Sequence, residues 1–129
     1  MSAPEYDVQV IIASGPSNAQ RAILGLSMAA SAAASGKRTY VYMAMEGARC
    51  LTQESCSTPL LAGYPTVAEY IQIISSADGT VEYCPSCLGL ECALEVKECV
   101  KAIPMCHLTK PGGMSSIALR FDHVHTVVF

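Results

Sequence analysis

Val8 to Ala13 reads VQVIIA, a run in which only Gln9 is polar. Such a nearly unbroken apolar stretch suits a short strand covered on both faces, as in a parallel sheet. It stops at Ser14-Gly15-Pro16-Ser17, a strong turn signal. From Asn18 to Ser35 the spacing becomes helical; Ser17 or Asn18 can cap the start and Gly36 can stop the helix. The small residues Ala22, Gly25, Ala29, Ala30 and Ala33 would let that helix lie close against a sheet or another subunit. Arg38 to Ala44 (RTYVYMA) alternates and is rich in β-formers, which predicts a second strand. Glu46 to Leu51 suits a short helix. Thr52 to Tyr64, with Cys56, Pro59 and Gly63, reads as a loop.

Thr66 to Ser75 places Val67, Tyr70, Ile71 and Ile74 on one side of a helix. Asp78-Gly79 is a turn and Val81 to Cys84 a third strand. Leu90 to Ile103 predicts a further helix, with Ala93, Val96, Val100 and Ile103 inward, Glu91, Glu95 and Glu98 outward, and Pro104 as its stop. Gly112-Gly113 opens a turn, Met114 to Phe121 suits a last helix, and Val124 to Phe129 (VHTVVF) closes the chain as a strand. Strands alternating with helices predict a three-layer α/β fold with a mainly parallel sheet of about five strands. The 129 residues suit one domain, 1–129, with no internal repeat or linker.

Composition narrows the function. The net charge is -3 and the eight basic residues are scattered, which argues against a nucleic-acid surface. The opening MSAPEYDVQVIIASG lacks the basic lead and long apolar core of a secretory signal. The uncharged stretch Ala22 to Gly36 is too short and too weakly apolar to span a bilayer. A cytoplasmic protein with no membrane association is therefore expected. Seven cysteines, an odd number, in a reducing compartment should be mostly thiols.

Neither a GxGxxG nor a GxxxxGK[ST] motif is present, and no cofactor is expected. The turn Ser14 to Ser17 at a helix start could hold an anion, although a plain strand-to-helix connection accounts for it. The acidic positions 91, 95 and 98 read as a solvated helix face. Five cysteines crowd into residues 81–106, and Cys84-Pro85-Ser86-Cys87 is a CxxC at a predicted strand end. Reactive groups gather at the carboxyl ends of parallel strands, and a helix start favours thiolate. Cys84 is thus placed to be a nucleophile. Cys87 could attack a sulfur adduct on Cys84 or form a reversible disulfide with it.

A metal reading stands beside this one: Cys84, Cys87, Cys92 and Cys99, or Cys106 or His107, could ligate zinc or an iron–sulfur cluster. The later spacings are wide, however, and Cys92 and Cys99 lie beside an apolar stripe where small packing residues are expected. Cys92, or Cys106 with His107 beside it, could supply a secondary thiol or a base. Cys50 and Cys56 flank a loop and read as buried or partly exposed thiols. His123 and His125 fall on one side of the last strand and read as structural or surface residues.

In order along the chain, VQVIIASGPSNAQRAILGLSMAASAAASGK, TYVYMAMEGARC, VEYCPSCLGL and FDHVHTVVF resemble the DsrE/DsrF/TusD-like sulfur-relay family. The resemblance implies a small flavodoxin-like (DsrE-like) domain assembling into homo-oligomers, as trimers or hexamers. It implies a persulfide-carrying cysteine after the central strand, which by position is Cys84. It also implies sulfur-donor and sulfur-acceptor proteins as partners, among them a TusA-like carrier, in tRNA thiolation or sulfur oxidation. Some members lack the cysteine and serve as non-catalytic assembly subunits. Unlike the usual pattern, CPSC here is followed by three more cysteines.

Overall fold

The computed structural model describes residues 5–92, 105 and 107–129, without the side chains of residues 90–92. Five parallel strands form one sheet: β1 (Val8–Ile12), β2 (Thr39–Met43), β3 (Thr80–Tyr83), β4 (Thr109–Pro111) and β5 (His125–Val128), in the order β4-β3-β2-β1-β5. The helices are α1 (Ala19–Ala34), α2 (Gln53–Cys56), α3 (Val67–Ser76), α4 (Pro85–Cys92) and α5 (Met114–Ala118). Tight 3-10 turns at Pro16–Asn18 and Met45–Leu51 follow β1 and β2.

Register sorts the side chains onto two faces, because successive strand residues point to opposite sides. Val10, Val41 and Val81 stand in one row and are buried; Ile12 and Met43 stand in the next. α1 and α3 cover this face. Gly25 of α1 lies so close to Ile12 that a Cβ there would meet Ile12 Cγ1 and Phe129 Cβ, each at 3.1 Å. Ala22, Ala29, Ala30 and Ala33 are buried along with it, so the small residues do bring the helix close to the sheet. α3 buries Val67, Tyr70, Ile71 and Ile74, the four residues its spacing placed together. Its Tyr70 hydroxyl meets Ser27 Oγ of α1 at 2.8 Å. Gly36, at φ 91°, ends α1 in the left-handed region where glycine carries no Cβ penalty.

The opposite face is more polar. Gln9 is fully buried there and donates through Nε2 to the Ile117 carbonyl of α5 at 3.1 Å and to Thr126 at 2.9 Å. Arg120 Nε donates to Gln9 Oε1 at 3.0 Å, and its guanidinium lies 4.4 Å from the Tyr40 ring centroid. Tyr40 and Tyr42 stack along β2, with ring centroids 6.5 Å apart and planes at 10°. All five residues of β2 are buried, so the alternation in RTYVYMA does not mark a wet face. With two strands on either side and both faces covered, β2 has no exposed side.

Several boundaries differ from expectation. The loop over 52–64 contains α2. The edge strand β4 has no counterpart among the expected strands, because three residues closing on Pro111 carry almost no strand pattern. The helix after β3 begins at Pro85 rather than Leu90. The strand before Cys84 is second from the edge, and the middle of the sheet is β2. The helical stripe of Ala93, Val96, Val100 and Ile103, with Glu95, Glu98 and the side chain of Glu91, lies outside the described residues. No helix among the described residues is long and apolar enough to cross a membrane.

Candidate functional site around Cys84

Cys84 is the first residue beyond β3. Its N–H donates to the Met43 carbonyl at the end of β2 at 3.0 Å, and its own carbonyl accepts from the Leu88 N–H at 3.1 Å. The first bond extends the sheet by one residue and the second opens α4. Cys84 is therefore the N-cap, with Pro85 at the first helical position, where a missing N–H costs nothing. In the usual cap an oxygen accepts from the third helical N–H. Here a sulfur does: the Cys87 N–H donates to Cys84 Sγ at 3.4 Å. The CxxC spacing thus puts both sulfurs on one side of one helix start.

The two thiols are not equivalent. Burial pushes the Cys84 thiol up, but the Cys87 thiol and N–H, the Tyr42 hydroxyl and the Ser86 N–H all favour its charged form, and the net shift is downward. For Cys87, burial and then the Cys84 thiol act upward and outweigh the Met45 N–H, so it is raised. Cys84 is the sulfur poised to ionise and Cys87 the one that keeps its proton. Both are largely covered, Cys84 at 9% and Cys87 at 7% relative exposure, with exposed Ser86 and half-buried Pro85 between them.

Three neighbours shape the site without any signal in the motif. Tyr42 is buried and donates to the Gly112 carbonyl at 3.0 Å; its phenol is held well above the usual range by burial first and then by Cys84 and other neighbours. Met45, with its N–H facing Cys87, adopts φ 51°, a left-handed backbone that non-glycine residues rarely take. Glu82, two residues before Cys84 on the same face, accepts from the Tyr40 hydroxyl at 2.7 Å and pairs with Lys110 Nζ at 3.7 Å. Only the parallel register brings Tyr42 and Gly112 to Cys84, and register is not written in the motif.

Other candidates lie elsewhere. His107 is exposed and lines a pocket with Gly79, Thr80 and Lys110, at the amino ends of β3 and β4. Cys84 sits at the carboxyl end of β3, so the structure does not bring His107 to the thiol pair as a base. Cys106, Cys99 and the side chain of Cys92 lie outside the described residues. Among the described residues, no group of three or more His, Cys, Asp or Glu is placed to hold a metal; the four-cysteine set of Cys84, Cys87, Cys92 and Cys99 extends beyond them. Cys50 and Cys56 are fully buried, and burial pushes their thiols up to about 12 and about 11, which makes them inert packing groups. His123 precedes β5, is exposed and meets Asp122 Oδ1 at 2.8 Å; His125 is exposed at the strand start. The turn at Ser14 to Ser17 needs no outside anion, because the Glu46 carboxylate accepts from the Ser17 N–H at 2.8 Å and from its hydroxyl.

Residues 7–121 match the model of the DsrE/DsrF-like family. Among solved structures, the YchN protein of E. coli has a similar fold, with a TM-score of 0.71 at 12% sequence identity, covering 95% of this chain and 99% of that one. At that identity the likeness concerns the fold: a five-stranded parallel sheet with helices. No curated protein sequence matches the chain.

Proposed function

The chain belongs to the DsrE/DsrF-like family, whose members act in sulfur relay in general, and from that premise we propose that it carries sulfane sulfur as a persulfide on Cys84 and passes it to a partner protein. The observation that supports this reading is the N-cap position of Cys84, where two backbone N–H groups, a thiol and a phenol favour its thiolate. In loading, the Cys84 thiolate attacks the outer sulfur of a donor persulfide. The new Cys84–S–SH bond forms as the donor's S–S bond breaks, and the donor leaves as a thiolate. In unloading, an acceptor thiolate attacks the same outer sulfur and Cys84 leaves as a thiolate. The leaving step draws on the same donors that lower the Cys84 thiol.

Cys87 serves as the second thiol. Deprotonated, it attacks the Cys84 inner sulfur of the persulfide, forming the Cys84–Cys87 disulfide and releasing hydrosulfide. Its raised pKa makes this slower than transfer and confines it to alkaline conditions. The protein acts as one domain, in the cytoplasm, as a homo-oligomer, with a TusA-like carrier among its partners. The test loads the chain with radiolabelled polysulfide, removes the excess and adds an acceptor thiol. Wild type should take up label and surrender it. A Cys84→Ser chain that loads and transfers equally well would refute the assignment.

A further inference from the structure

Tyr42 has one hydroxyl proton and two places to put it. The hydroxyl donates to the Gly112 carbonyl at 3.0 Å, and the same oxygen lies within hydrogen-bonding reach of the Cys84 thiol. The ring is 1% exposed and stacked on Tyr40, so packing fixes where the hydroxyl sits. The register sets Tyr42 beside Glu82, and Cys84 is the next residue of β3's strand path on that same face. Tyr40 is the contrast within one strand: its proton is committed to the Glu82 carboxylate at 2.7 Å. The Tyr42 proton has no such fixed anion.

We propose that the Tyr42 hydroxyl is the switching donor of this site, bonded to Gly112 while Cys84 is a neutral thiol and turned to the sulfur when Cys84 is a thiolate. The proposal rests on reading Cys84 as the nucleophile. With a neutral thiol, the S–H donates to the phenolic oxygen and the phenol donates to the carbonyl, so every group is satisfied. When the thiol proton leaves to solvent, the charged sulfur becomes the stronger acceptor. The O–H then needs only to rotate about the C–O bond. The turn does not come loose, because the Gly112 N–H separately holds the Tyr83 carbonyl at 3.0 Å. Burial above all keeps the phenol protonated, so Tyr42 acts as a donor and never as the base.

The test is site-resolved alkylation of Cys84 by iodoacetamide as a function of pH, on the full chain. Tyr42→Phe keeps the ring and removes the proton. Its Cys84 profile should move to higher pH, with the rate at neutral pH falling about tenfold, the value of one charge-assisted hydrogen bond at its lower end. Fluorotyrosine placed at position 42 alone donates more strongly in the same packing and should move the profile to lower pH. An unchanged profile in either folded variant overturns the proposal; should Tyr42→Phe not fold, the fluorotyrosine chain decides. The readout needs no sulfur donor. A chain that alkylates as expected yet takes up no sulfane sulfur would refute the carrier reading and leave the donor role standing.

Discussion

Gly47→Ala tests whether the turn after β2 is locked to β1 as the structure requires. Gly47 lies in the Met45–Leu51 turn, and its N–H donates to the Ala44 carbonyl at 2.8 Å. A Cβ at this position would stand 2.8 Å from the Ile12 carbonyl carbon and would overlap its oxygen. Both atoms are backbone, so no rotamer change relieves the clash. The Ile12 oxygen already accepts from the Ala44 N–H at 3.0 Å, and the turn must withdraw by more than about 1 Å to reach ordinary contact. Withdrawal strains that bond and leaves a buried carbonyl short of a partner, costing about 1–3 kcal/mol. Overpacking adds about 1–3 kcal/mol. A total near 4 kcal/mol is a large part of a small domain's stability. Propensity alone argues the other way, since alanine restricts the unfolded chain and gains about 0.4–1 kcal/mol where it fits. The sign therefore decides. Urea unfolding should show a clearly lowered midpoint with an unchanged slope. A midpoint equal to or above that of wild type would refute the close approach of the turn to β1.

Thr66→Ala removes the capping box of α3, in which Thr66 Oγ1 accepts from the Glu69 N–H at 3.1 Å and the Glu69 carboxylate accepts from the Thr66 N–H at 3.2 Å. Denaturant titration should register a loss of about 1 kcal/mol, and no loss would mean that the cap is idle. Asp7 is lowered to about 2 by hydrogen bonds from the Arg38 side chain and backbone. A depressed carboxyl contributes stability that is present above its ordinary value of 3.8 and is lost as pH falls toward about 2. Asp7→Asn should therefore be less stable than wild type at neutral pH and converge with it near the acid end, as followed by thermal melts across pH. A gap that stays constant with pH would contradict the pairing.

Much of the fold was legible because its signals are local. VQVIIA is apolar but for Gln9, and β1 lies inside a parallel sheet with α1 against one face. Val67, Tyr70, Ile71 and Ile74 recur at helical spacing and are the buried face of α3. What failed was non-local or atypical. The start of α4 was missed because cysteine is an unusual N-cap, although Pro85 at the first helical position was a usable sign. β4 was missed because three residues ending in proline carry almost no strand pattern. At the site, CPSC was visible as a motif. The partners that distinguish its two sulfurs were not. Tyr42 comes from another strand, Met45 from the turn beyond it and Gly112 from a residue twenty-eight positions past Cys84. His107 stands beside a cysteine in sequence, yet it leads into β4 at the amino end of the strands.

The central claim is that one sulfur, that of Cys84, accepts sulfane sulfur. Intact-mass measurement of wild type, Cys84→Ser and Cys87→Ser after exposure to polysulfide under anaerobic conditions tests it most directly. Wild type and Cys87→Ser should each gain the mass of one sulfur atom per chain, removable by a reducing thiol, and Cys84→Ser should gain none. Uptake by Cys84→Ser equal to that of wild type would contradict the account.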